Sequence, residues 1–156
     1  MKMFSTIVIV LFVILAIIYV VYLYISPTFT ADIDGQVFEG DRGGAASYTS
    51  GKVQIGAQYI DPDTTHLIIL LNATKVGTYL LNDDNAETGN FGAYYIGKKV
   101  FASTSRFTGS VTITRLDLEK KKISGTFAFR AVQVVPPGSK VINITNGVFK
   151  DVPIAN

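Results

Sequence analysis

The sequence predicts an all-β domain, a curled antiparallel β-sandwich or partly open β-barrel of about ten strands, preceded by one N-terminal transmembrane helix. Three observations carry this expectation. From Ile7 to Ile25 the chain holds no charge, no side-chain amide and no proline. Beyond Pro27, apolar residues recur at every second position over short stretches and nowhere sustain a 3.6-residue period. Turn-forming dipeptides and polar clusters separate those stretches at short intervals.

The apolar run comes first. As a helix its nineteen residues would span roughly 28 Å, the thickness of a bilayer core. A secretory signal has an apolar region of only about 7 to 15 residues and small residues at its cleavage site, whereas this run exits through YLYISPTFTAD, bulky and β-branched. A long signal cleaved at an unusual site is the alternative. Lipoprotein processing needs a cysteine, and the chain has none. Lys2 and the N-terminal amine precede the run, while Asp32, Asp34, Glu39 and Asp41 follow before the first basic residue, Arg42. The positive-inside rule therefore puts the N-terminus in the cytoplasm. Tyr19, Tyr22 and Tyr24 cluster at the outer end as an aromatic belt. The division is a signal anchor over residues 1–27 and an extracytoplasmic domain over 28–156, with residues 5–27 contacting the inner (cytoplasmic) membrane.

The strands follow in order. TFTADI and QVFEG flank Asp34-Gly35, a dipeptide suited to a type I′ hairpin turn. DRGGAAS reads as a glycine-rich loop. In KVQIGAQYI, Val53, Ile55, Ala57 and Tyr59 alternate with Lys52, Gln54, Gly56 and Gln58, the pattern of a strand with one wet face. HLIILLN is a short buried strand, VGTYLL another, and NDDNAETGN between them and FGAYYI a long polar loop. FGAYYIGKKVFAST supplies two strands joined near Gly97-Lys98. GSVTITRLDLEKKKISGTFAFRAVQV is a longer hairpin turning over Glu119 to Lys122. Its first arm changes phase, from odd-numbered Val111 and Ile113 to even-numbered Leu116 and Leu118, which a bulge near Thr114 and Arg115 would reconcile. In the second arm Ile123, Phe127, Phe129 and Ala131 share a face. KVINIT and GVFKDVPI are expected to pair around Asn146-Gly147.

Four of these segments together, FTADIDGQVFEG, VGTYLL, GSVTITRLDLEKKKISGTFAFRA and ITNGVFKDVPI, resemble a β-rich domain family of unknown function common in envelope lipoproteins of Bacteroidota. The resemblance covers nearly all of residues 28 to 153. It implies an envelope domain and brings no activity or catalytic residues with it. The chain departs from that family at its front, where an apolar segment stands in place of a lipidated cysteine, which favours the inner membrane over outer-membrane sorting.

Composition narrows the function classes. Apart from Lys2, the 14 basic residues lie in the domain and face 12 acidic ones, so no basic stripe points to nucleic acid. Without cysteine there is neither thiol catalysis nor a thiolate metal site. The one histidine, His66, precedes a buried strand, and no Ser-His-Asp set, GxSxG elbow or HExxH helix is visible. The pairs Asp61/Asp63 and Asp83/Asp84 lie in turn sequences rather than the apolar pocket that would raise a pKa for acid/base work. No catalytic residue, no enzymatic activity and no cofactor is expected. Asp83, Asp84 and Glu87 are calcium candidates, because flexible loops rich in such oxygens hold that ion, although Asp and Asn also populate loops for their turn geometry alone. Lys120, Lys121 and Lys122 read as solvated charges at a hairpin tip that discourage edge pairing. The sequons at Asn72 and Asn143 overlap strands.

Three function classes remain. The favoured one is an interaction or structural module of the cell envelope that meets an envelope protein partner through exposed sheet edges or loops, with β-strand addition as its mechanism. The second is a small apolar-ligand or glycan-binding domain, with Tyr59, Tyr94, Tyr95, Phe127 and Phe129 as candidate ligand contacts. The third is a metal-assisted hydrolase working through the acidic loop.

Overall fold

The computed structural model describes residues 28–59, 64–85 and 89–155. The anchor expected over residues 1–27 lies outside them, and among the described residues no helix is long and apolar enough to cross a membrane.

The domain is all-β. Its elements are β1 (Thr28–Ile33), β2 (Gln36–Glu39), a 3₁₀ turn (Asp41–Gly43), β3 (Ala45–Thr49), β4 (Lys52–Tyr59), β5 (Thr65–Asn72), β6 (Gly77–Leu81), β7 (Phe91–Ile96), β8 (Lys99–Ala102), β9 (Gly109–Asp117), β10 (Lys122–Val135) and β11 (Val141–Ala155). All eleven strands belong to one sheet in the order β2-β1-β11-β3-β4-β5-β7-β8-β10-β9-β6, and β10 also pairs with β11. That extra pairing makes two contiguous runs, β6-β9-β10-β11-β1-β2 and β3-β4-β5-β7-β8. They join only briefly, through two parallel residue pairs between β11 and β3 and three antiparallel pairs between β8 and β10. The sheet folds back on itself without becoming a regular barrel, and β2 and β6 remain its edges.

Local chemistry explains several elements. Asp34 and Gly35 both have positive φ, 49° and 83°, as a type I′ turn requires, and Ile33 pairs with Gln36 across it. The bulge expected in β9 is present: Ser124 faces Arg115 while Gly125 faces Ile113, which leaves Thr114 over. On β10, Ile123, Phe127, Phe129 and Ala131 are buried together as the alternation requires.

Two expectations are corrected. Asn146-Gly147 does not turn the chain, and KVINIT and GVFKDVPI form one strand, β11, of 15 residues. A type I′ turn needs positive φ at both central residues, and here only Asn146 has it, at 51°. The pair makes a bulge instead, where the β10–β11 register slips between Phe127 and Phe129. Part of the segment assigned to a glycine-rich loop is strand β3, joined to β4 by Ser50 and Gly51, with φ of 50° and 81°.

Inward residues of both runs form one core cluster. An aromatic chain threads it: Phe38 meets Phe29 edge-on at 6.3 Å between centroids, Phe29 meets Phe127 at 5.3 Å, and Phe127 stacks on Phe149 at 6.3 Å. Each buried ring contributes on the order of 1.5 to 3 kcal/mol. Phe127 and Phe149 also fill space left by glycines directly opposite, Gly147 and Gly125.

Candidate functional site

The free edge of β2 borders a solvent-open cleft of about 370 Å³. One wall is the β1–β2 hairpin, with Ile33, Gln36, Val37, Phe38 and Glu39. The other is made by the ends of β4, β5 and β7, with Tyr59, Thr65, Tyr94 and Ile96. Phe38 closes the floor: it is 5% exposed and meets the Tyr94 ring edge-on at 6.4 Å. Val37 and Tyr59 stand at the rim, 77% and 44% exposed.

The hairpin sets the polarity of the edge. In a two-residue hairpin the pair closing the turn exchanges both of its hydrogen bonds, and alternate pairs exchange none. With Ile33 and Gln36 as the closing pair, Gln36 and Phe38 point their backbone groups at β1, and Val37 and Glu39 point theirs outward. The Gly40 N–H donates to the Phe29 carbonyl at 2.8 Å, in keeping with that alternation. The cleft is therefore flanked by an N–H and a C=O on each of two residues that no strand covers.

The five aromatic candidates separate. Tyr59 and Tyr94 line the cleft. Tyr95, next to Tyr94, faces the other side of β7 and lies edge-on to His66 at 6.5 Å. Phe127 and Phe129, each 4% exposed, are packed in the core. His66 shares an open surface pocket with Asp41 and Gln58, and among the described residues no three His, Cys, Asp or Glu side chains converge as a metal site.

The acidic loop is tied internally. Asp84 accepts from the Ser105 N–H and from the Ser105 hydroxyl, both at 2.8 Å, one on each carboxylate oxygen. Those donors hold the Asp84 carboxyl below its ordinary pKa, the backbone N–H most strongly. Asp83 accepts from the Asn85 N–H at 3.0 Å. Glu87 lies outside the described residues, as do Asp61 and Asp63.

A second polar cluster links two bulged segments. Arg115 donates to Asp117 and to Asp151, each at 2.9 Å. The Lys120 N–H, ahead of Arg115, lowers the Asp117 pKa, and Asp117, ahead of Asp151, raises that of Arg115. This cluster braces the β9–β10 hairpin and offers no open coordination.

Reading along the chain missed the cleft residues Val37, Phe38, Thr65 and Ile96. The available clue was the Asp34-Gly35 turn, which fixes the register and hence the outward placement of Val37. No curated protein and no solved structure matches the chain. A family model does match, over residues 25–153, and the chain belongs to the family described as Domain of unknown function (DUF6252).

Proposed function

We propose that this protein is a membrane-tethered module of the cell envelope that captures an extended segment of a partner protein along the free edge of β2. In this reading the apolar segment before Thr28 holds the chain in the inner membrane with its N-terminus cytoplasmic, in place of the lipidated cysteine of related envelope lipoproteins in Bacteroidota. The observation that carries the reading is the juxtaposition of an unpaired edge with a cleft of mixed lining in which Phe38, Tyr59 and Tyr94 gather. Outward backbone groups at Val37 and Glu39 supply ladder hydrogen bonds, and a side chain of the added strand enters the cleft against Phe38, Tyr59 and Tyr94. Strand addition draws affinity from the backbone and specificity from such pockets.

A second reading, a small apolar ligand in the same cleft, is favoured by its aromatic walls. Such ligands are usually enclosed to 70–90% of their surface, and this cleft is open to solvent, which supports the peptide reading over it.

The test is selection of peptides from a random library on the full chain in nanodiscs, followed by Val37→Pro. Proline removes the outward N–H and leaves the β1 ladder whole, as edge strands tolerate. The expected result is peptides with alternating apolar residues, bound at least tenfold more weakly by the variant at unchanged thermal stability. Peptide binding that ignores Val37→Pro but falls with Tyr94→Ala would move the assignment to the second reading.

A further inference from the structure

The tip of the β9–β10 hairpin carries Leu118, Glu119, Lys120, Lys121 and Lys122. Leu118 is 48% exposed, and Lys120 and Lys121 are exposed. Charges at a hairpin tip are ordinarily solvated and idle. Their position relative to the start of the domain changes that reading.

Register fixes the position. Thr28 lies opposite Lys150 on β11, Gly125 opposite Phe149, and Ile123 opposite Val152. Thr28 is therefore level with Ser124 on β10. From Thr28, β1 runs away toward the Asp34-Gly35 turn, so Thr28 stands at the other end of the strand. The hairpin tip points to that same end. Lys121 lies three residues, about 10 Å, past the level of Thr28, and two strand spacings, about 10 Å, to the side of β1. Leu118 and the lysines thus stand at the end of the sheet where β1 begins, the end that the tether reading turns toward the membrane.

Neighbouring charges leave the tip basic. Arg115 faces two carboxylates, Asp117 and Asp151, so that with Glu119 the three tip lysines keep one positive charge in excess. Lys120 and Lys121 are exposed, and Lys122 is half-buried at the start of β10.

We propose that the β9–β10 tip docks on anionic lipid headgroups of the membrane that holds the chain, with Lys120, Lys121 and Lys122 on the phosphates and Leu118 at the acyl boundary. The proposal rests on the tether reading above. It would fix the orientation of the domain, turning the β2 edge at a constant angle to the bilayer. Each lysine near such a surface contributes about a fivefold preference for an anionic membrane.

The chain lacks cysteine, so a single introduced thiol takes a fluorophore cleanly. The test uses the full chain in phosphatidylcholine vesicles, with or without phosphatidylglycerol, carrying a headgroup-attached nitroxide quencher. The label sits at Glu119→Cys or, at the opposite end, at Gln36→Cys. The expected result is strong quenching at position 119 and little at 36, only with phosphatidylglycerol present. Adding Lys120→Gln, Lys121→Gln and Lys122→Gln should reduce it at least twofold, with the circular dichroism spectrum unchanged. Vesicle flotation after an alkaline wash separates the two readings. A chain that leaves the vesicles overturns both. A chain that floats but shows no more quenching at 119 than at 36, or equal quenching in neutral vesicles, overturns the docking and leaves the tether.

Discussion

Gly147→Ala tests the packing that shapes the whole sheet. Phe127 lies directly opposite Gly147 across β10 and β11, and Phe149 opposite Gly125. Each ring occupies the room a side chain would need on its partner strand, and the two rings stack at 26°. A Cβ on residue 147 would lie 2.5 Å from two ring carbons of Phe127 and 2.5 Å from its carbonyl oxygen. Carbon atoms in contact prefer about 3.5 to 4.0 Å, so ring and strand must part by about 1 Å. The ring cannot simply swing aside, because Phe29, Phe129 and Phe149 hold it. Overpacking of this kind costs about 1 to 3 kcal/mol, and at about 4 °C per kcal/mol for a domain of this size the melting temperature should fall by about 4 to 12 °C. Thermal unfolding followed by circular dichroism reads it. Phe127→Leu frees part of the space, so the double variant should lose less than the sum of the singles. An unchanged midpoint for Gly147→Ala, or strict additivity in the cycle, would refute the reasoning.

Three further outcomes are expected. Asn146→Val places a β-branched residue at a left-handed φ of 51° and should cost about 1 to 2 kcal/mol beyond Asn146→Gly, which loses the same side-chain bond to Asp32 but accepts the conformation; equal stability of the two variants in urea unfolding would contradict the bulge assignment. The Asp84 and Asp117 carboxyls ionise below their ordinary range, so the folded chain binds fewer protons there than the unfolded one. Their contribution is complete above the unfolded carboxylate pKa of about 4 and is lost as pH falls through the lower folded values. The unfolding midpoint should drop on acidification, less steeply in Asp84→Asn, and a midpoint that holds or rises would reverse the sign. Deleting residues 1–27 should yield a soluble domain with cooperative unfolding, and an insoluble product despite good expression would count against the tether.

The strands were legible wherever one face is wet, because alternation then shows which residues turn inward. Val53, Ile55 and Ala57 on β4 and the four inward residues of β10 are buried as their spacing requires, and the phase change in β9 pointed to its bulge. What stayed hidden depends on partners distant in sequence. β3 is short, and AASYT lacks a strong alternation; its place comes from pairing with β4 on one side and with the end of β11 on the other. The cleft was illegible for the same reason. Tyr59 and Tyr94 were picked out as aromatics, but nothing local brings β2 against the ends of β4, β5 and β7.

Asn146-Gly147 shows how a local misreading connects to the site. Asp34-Gly35 and Asn146-Gly147 look equivalent as dipeptides, yet the first supplies two left-handed residues and reverses the chain, while the second supplies one and bends it. Asp32 helps to hold that bend, accepting from the Asn146 side-chain amide at 2.7 Å. A second bend follows at Asp151, φ 50°, whose N–H donates to the Ser124 hydroxyl at 2.8 Å. Bulges bend a strand and increase its twist. With two of them, β11 lies beside β1 along its middle and beside β3 at Ile154 and Ala155. Had Asn146-Gly147 turned, KVINIT and GVFKDVPI would have paired with each other, and of the two junctions between the runs only that of β8 with β10 would have remained. Because β11 continues, β1 is carried on its outer flank and β2 is left at the end of the sheet, open on one side beside the cleft. The edge that we propose binds a partner is thus set by a glycine that stays in the strand.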